Sequence, residues 1–297
     1  MYSSSAADKR FTIILFLFPA VAGLLVFCML PMFASIIYSM LDYDILKPMD
    51  QIRFVGFDNF QKILKGKELY ETGSHTLKYV ALYVPAVMVA ALFQALLINR
   101  SFRGRAVYRT IFYTPVITSW VAAAVVWKWL LNGKVGLFNQ ALLIFNIQGP
   151  NWLNDRNWAM VGIVIAAIWK DAGYFALMLF AALKSIDISY FEAAAIDGAG
   201  PGRRLFNITL PLISPTIFLL LVTNIIGSLQ VFESVFIMTG GGPANATTVF
   251  LERIYRYAFK LYKLGVASAF SWILFILILV FTLFQFVLQK RWVNYDA

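Results

Sequence analysis

The chain has 297 residues, of which 61% are hydrophobic and 13% charged, with a mean hydropathy of +0.74 and a formal net charge of +10. A composition this apolar excludes a soluble globular domain and puts the chain in a bilayer. The basic excess then reads as the flanking charge that membrane orientation requires, not as a nucleic-acid footprint. One cysteine, Cys28, lies inside an apolar run and excludes both a disulfide framework and a cysteine metal site.

Six runs have the roughly 20 apolar residues that a helix needs to cross the hydrocarbon. They extend from Phe11 to Met40, Leu77 to Ile98, Thr110 to Leu131, Trp158 to Leu183, Ile208 to Met238 and Val266 to Leu288. The first is too long for a secretion signal and lacks a small-residue cleavage site, so it is expected to be retained. Lys9 and Arg10 before it match Lys290 and Arg291 after the last run, which puts both termini in the cytoplasm. The loop after the first run, Leu41 to Thr76, mixes acids and bases and falls outside. Its His75, the only histidine, has no ligand partner and reads as a solvated loop residue and not as part of a metal site.

The next loop carries Arg100, Arg103, Arg105 and Arg109 with no acid, a cytoplasmic signature. By the same alternation, the segment between the fifth and sixth runs is external, yet it holds Arg253, Arg256, Lys260 and Lys263. Steps of three and four put these bases on one helical face, with Leu251, Ile254, Ala258 and Leu261 on another. An amphipathic helix on the outer surface is expected, seated either on anionic lipid or on an external partner.

The segment between the fourth and fifth runs, "EAAAIDGAGPGRRLFNITLPLISP" (Glu192 to Pro215), falls in the cytoplasm. Glu192, Ala193, Ala194 and Ala195 favour a short helix, and Gly198, Gly200, Pro201 and Gly202 end it. A helix this short needs packing to persist. Arg203 and Arg204 mark the inner headgroup level.

The spacing Glu192-Ala193-Ala194, three residues, Gly198, nine residues, Ile208, one residue, Leu210-Pro211 resembles the EAA signature of membrane subunits of binding-protein-dependent ABC importers, at every position of that pattern. The likeness extends over nearly the whole chain. "RFVGFDNFQKIL" (Arg53 to Leu64), "LQVFESVFIMTGGGP" (Leu229 to Pro243), "LGVASAFSWILF" (Leu264 to Phe275) and "QKRWVNY" (Gln289 to Tyr295) are similar to segments of the first permease subunit of maltose-type carbohydrate transporters. The resemblance implies an all-α polytopic membrane protein of the type I importer fold, a single transmembrane domain over 1–297 with six helices and a cytoplasmic coupling loop at 187–207. It also implies ATPase coupling through Glu192, Ala193, Ala194, Asp197, Gly198, Arg203 and Arg204. The partners it implies are a second homologous permease forming a heterodimer, a dimeric cytosolic ATPase, an extracytoplasmic sugar-binding protein and membrane lipid, in a prokaryotic plasma (inner) membrane. No G-x-x-x-x-G-K-[ST] loop occurs, so the chain is expected to be no enzyme and to hold no cofactor, with ATP and magnesium bound by the partner ATPase.

Polar residues at mid-depth in a span are costly and therefore candidates for a cavity. Lys170, Asp171 and Tyr174 lie in the fourth run, and Asn224, Ser228, Gln230 and Glu233 in the fifth. Counted from the matched Glu192, Lys170, Asp171, Tyr174 and Ser228 fall where maltose-type permeases place sugar contacts. Helix-to-helix bonding is the competing role for each. Trp169 reads as packing or an interface anchor. The charges of Lys170 and Asp171 depart from a neutral, amide-rich lining, so an acidic or an amino-bearing glycan is possible. An ion-coupled secondary transporter using Lys170, Asp171 and Glu233 is the alternative reading, and a membrane enzyme lacks a convergent nucleophile or metal set.

Overall fold

The computed structural model describes residues 6–100 and 103–294; Tyr295 of the C-terminal motif lies outside the described residues. The fold is helical and polytopic. Among the described residues, four helices are long and apolar enough to cross a membrane unbroken: Thr12–Ser39, Lys67–Asn99, Ala159–Ser185 and Leu264–Arg291. Two further pairs meet the same test only when taken together across a bend, which brings the number of candidate spans to as many as six.

Both bends fall inside runs that hydropathy presents as continuous. The third run is the pair Ala106–Ile117 and Trp120–Leu130, turned by 103°. Pro115 lacks the N–H that would continue the ladder. Thr118 and Ser119 then both take extended backbone, with ψ of 138°. The Ser119 hydroxyl accepts from the Val121 N–H at 3.3 Å and caps the new helix. The fifth run is the pair Pro201–Leu212 and Ser214–Leu229, turned by 68° at Ile213 between Pro211 and Pro215. It stops at Gln230, and a separate short helix, Glu233–Met238, follows.

The chain divides into two compact units. The smaller comprises 1–66 and 254–273. Its loop is ordered: strands Leu41–Asp42 and Arg53–Phe54 pair antiparallel, and helix Asp58–Lys65 follows. The buried Asn59 amide donates to the carbonyls of Ser39 and Leu41 at 3.0 and 2.9 Å. Gly265 lies so close to the Leu41 carbonyl that no side chain fits there. The apolar residues of the first span remain exposed, as suits a helix in contact with lipid or with another subunit.

The larger unit comprises 67–253 and 274–297. Helices Lys67–Asn99 and Ala159–Ser185 pack together along most of their length. Val87, Ala91 and Ala95 on the first and Ala166, Ala167 and Ala176 on the second are fully buried, and such small residues let two backbones approach. Helix Arg105–Ile117 crosses the second of these helices at Gly173, where the Phe112 carbonyl occupies the space of a side chain. The last helix, Leu264–Leu288, begins in the smaller unit and ends in the larger, where Phe286 and Trp292 pack against Phe218.

Two expectations are corrected. His75 belongs to helix Lys67–Asn99, half-buried, because that helix starts ten residues before the apolar run and is roughly 50 Å long at 1.5 Å per residue. The expected amphipathic helix is broken into Phe250–Tyr255 and a wider π-turn, Arg256–Lys260. Hydrogen bonding from i to i+5 abandons the 3.6-residue period that had aligned the four bases. Arg253 points inward instead. It is 5% exposed, and its guanidinium lies 3.6 Å from the Glu68 carboxylate.

Candidate functional site

A cavity of about 500 Å³ opens within the larger unit where the two bent spans meet the two long helices. Six of the seven pathway residues expected from the sequence line it: Asp171, Tyr174, Asn224, Ser228, Gln230 and Glu233. They arrive from three elements. Helix Ala159–Ser185 presents Asp171 and Tyr174 three residues apart on one face. Helix Ser214–Leu229 presents Asn224 and Ser228 four apart, and the break after it leaves Gln230 and Glu233 exposed at the rim. The break in the fifth run thus turns what would be one buried helix face into a polar edge.

The seventh residue is elsewhere. Lys170 is 6% exposed, and its ammonium donates to the carbonyls of Pro115 and Val116 at 3.1 and 3.0 Å, with the Trp120 ring centroid 5.7 Å away. These carbonyls lie where helix Arg105–Ile117 ends, the Pro115 carbonyl also accepting the Thr118 N–H at 3.2 Å, and the negative end of that helix favours a cation. Lys170 therefore holds the bend of the third run and is not part of the lining. Trp169 is 44% exposed and meets Trp127 edge-on, a packing role.

Asp171 accepts a 2.7 Å hydrogen bond from the Tyr83 hydroxyl. The Tyr83 ring stacks on Tyr79 at 5.2 Å, and the Tyr79 hydroxyl shares a hydrogen bond with Ser234. A chain of polar tips thus crosses from the fourth span through the second to the helix after the fifth. Tyr79, Tyr83, Trp120 and Ser234 line the cavity and were missed in the sequence. The available signal was Tyr79 and Tyr83 four residues apart in an otherwise apolar run. Asn224 is 4% exposed, and its Nδ2 has no hydrogen-bond partner, an orphan donor in the wall of the cavity. Such a wall offers aromatic faces for stacking together with hydroxyl, amide and carboxylate groups for hydrogen bonds.

A second feature lies at the other end of helix Ala159–Ser185. Helix Ile188–Ile196 starts at Asp187, whose carboxylate accepts from the Ser189 N–H at 2.8 Å; that backbone bond holds the carboxyl below its ordinary range. The helix ends in a Schellman turn. Ala199 N–H donates to Ala194 O at 2.8 Å and Gly198 N–H to Ala195 O at 3.1 Å, with Gly198 at φ +69°. Gly200 and Pro201 then open the next helix, and the Arg204 guanidinium reaches back to the Ala199 carbonyl at 2.7 Å. Ala194 is buried, whereas Glu192, Ala193, Asp197, Gly198 and Arg203 are exposed. So are Ile188 and Ile196, at 70% and 88%. A capped two-turn helix with an apolar exposed side has the form of a docking element.

The family model described as "binding-protein-dependent transport system inner membrane component" matches residues 79–294. The chain belongs to this family. It is 33% identical over 287 residues to the probable ABC transporter permease YesP of Bacillus subtilis, covering 95% of this chain and 91% of that one. It is 38% identical to the sn-glycerol-3-phosphate permease UgpA of Yersinia pestis, covering 82% of each, and 34% identical to the trehalose/maltose permease MalF of Thermococcus litoralis, covering 91% and 90%. Among solved structures, a chain of a bacterial alginate ABC transporter in complex with an alginate-bound periplasmic protein superimposes with a TM-score of 0.84, at 25% identity and 96% coverage of both chains. The permease is thus an inner-membrane transport component that works with a binding protein, and the ion-coupled alternative is set aside.

Proposed function

We propose that this permease is one of two homologous membrane subunits of an ATP-driven importer, carrying a carbohydrate handed over by an extracytoplasmic binding protein. The observation that supports this best is the cavity itself. Its aromatic faces (Tyr79, Tyr83, Trp120, Tyr174) alternate with hydrogen-bonding groups (Asp171, Asn224, Ser228, Gln230, Glu233), the combination that takes up a ring with one apolar face and a hydroxyl edge. The trehalose/maltose and alginate systems among its relatives act on saccharides, which supports the same class.

On this reading both termini and helix Ile188–Ile196 lie in the cytoplasm, and the helix docks on an ATPase subunit that holds ATP and magnesium. The exposed residues Glu192, Ala193, Asp197, Gly198 and Arg203 form the contact, while Ala194 and Arg204 fasten the helix to its own subunit. The chain acts as one transmembrane domain. Alternating access moves sugar past Asp171 and Tyr174. The test is uptake of a labelled oligosaccharide into vesicles holding the permease pair, the ATPase and the binding protein. Uptake that follows ATP hydrolysis, and is lost with hydrolysis retained in Glu192→Lys, is the expected result; uptake that persists without the ATPase refutes the proposal.

A further inference from the structure

The lining of the cavity carries charge of one sign. Its only acidic side chains are Asp171 and Glu233, and no lysine or arginine is among the lining residues. The one cation nearby in sequence, Lys170, is committed to the Pro115 and Val116 carbonyls and to the Trp120 face. Lys128, the next candidate, lines a separate cavity with Asn132 and Asn154. The remaining polar groups are hydroxyls and amides, and the unpartnered Nδ2 of Asn224, itself 4% exposed, supplies a neutral donor.

A carboxylate or phosphate on a substrate is normally met by a guanidinium or ammonium. Here it would meet two carboxylates and neutral dipoles, in a site where charge is weakly screened. A sugar hydroxyl or a protonated amine meets acceptors instead. We infer that this chain's wall of the translocation cavity is a charge filter that passes neutral or amino-bearing glycans and rejects acidic ones, with Asp171 and Glu233 as the discriminating residues. This rests on the carbohydrate reading proposed above. It separates the permease from its structural relative, whose name describes import of the acidic polysaccharide alginate.

Because a binding protein also selects substrate, the test uses the assembled permease pair with its ATPase, purified without the binding protein. Three trimers are compared in direct binding: maltotriose, a glucosamine trimer and a mannuronate trimer. The mannuronate trimer is expected to bind at least about tenfold more weakly than maltotriose. The glucosamine trimer is expected to bind more tightly than its N-acetylated form, a comparison that needs no variant. The double variant Asp171→Asn/Glu233→Gln brings mannuronate to within about threefold of maltotriose. Equal binding of mannuronate and maltotriose by the unaltered complex, no preference for the free amine, or a gap that the double variant leaves intact overturns the filter while the carbohydrate reading stands. Binding of none of the trimers instead counts against the carbohydrate reading, and the filter fails with it.

Discussion

Gly198→Ala isolates the backbone requirement of the proposed docking helix, Ile188–Ile196. Gly198 sits at φ +69°, and the position of a Cβ there has no heavy atom within 4 Å. Steric collision is therefore absent, and the cost is the intrinsic penalty of placing an L-residue in the left-handed region, about 1–2 kcal/mol. The Schellman bonds from Gly198 and Ala199 depend on that conformation, so the closed cap falls in population by a factor of about 5–30 relative to the frayed one. Gly200 provides the internal control: it also has open space around its Cβ, but its φ is −68°. Gly200→Ala is expected to be neutral or slightly stabilising. Gly198→Asn, which tolerates the left-handed region better, should recover part of the loss. Amide exchange at Ala199 reads the cap directly, and the ratio of sugar transported to ATP hydrolysed reads coupling. Faster exchange and poorer coupling in Gly198→Ala alone is the expected pattern. Equal effects of Gly198→Ala and Gly200→Ala would refute the conformational argument.

Three further outcomes follow from single contacts. Lys170→Met removes the ammonium donor from the Val116 carbonyl and leaves the Pro115 carbonyl with the Thr118 N–H alone, which costs about 1–3 kcal/mol; the assembled transporter should melt earlier and bind sugar more weakly, because Trp120 is released with the bend. Gly173→Ala drives a methyl into the Phe112 carbonyl and should cost about 1–3 kcal/mol in thermal stability, whereas Gly73→Ala, with no atom within 4 Å of its Cβ, should be neutral or stabilising by up to about 1 kcal/mol. Tyr83→Phe removes the 2.7 Å bond to Asp171 without changing ring stacking; it should lower sugar affinity by roughly fivefold, since a hydrogen bond carries about 1 kcal/mol, with assembly intact by size-exclusion chromatography.

Hydropathy found all six runs because burying apolar residues in lipid is a property of composition over about 20 residues. It could not find the bends, because a bend is decided by two or three backbone torsions at Thr118 and Ser119 or at Ile213, and the average over a run is unchanged by them. Lys170 was misplaced for a related reason. A mid-depth lysine signals a polar environment, but that environment is the open end of a helix from another run, which is defined only once the bend exists. Asp171, Tyr174, Asn224 and Ser228 were legible because they face the cavity from regular helices, whereas Gln230 and Glu233 reach it through the break after Leu229. Arg253 was misread because the period used to align it breaks at the π-turn. The end of helix Ile188–Ile196 was the most legible boundary, since Gly198, Gly200 and Pro201 carry stop signals that act within a few residues, whereas its start at Asp187 went unread.

On the proposed reading, the bend in the fifth run also links the docking helix to the cavity. The docking helix is tied through the Arg204 guanidinium to the stretch that follows it. That stretch runs through a π-turn at Leu205–Thr209 to the bend at Ile213, beyond which a straight helix of 16 residues leads to Asn224 and Ser228 in the cavity wall. A straight continuous span would convert a push on the docking helix into axial sliding, which packed neighbours resist. On the proposed reading, the 68° bend lets the same push rotate the upper segment about Ile213. Such a rotation would swing Asn224, Ser228 and the rim at Gln230 and Glu233 toward or away from Asp171 and so change access to the cavity, with the backbone of each segment intact.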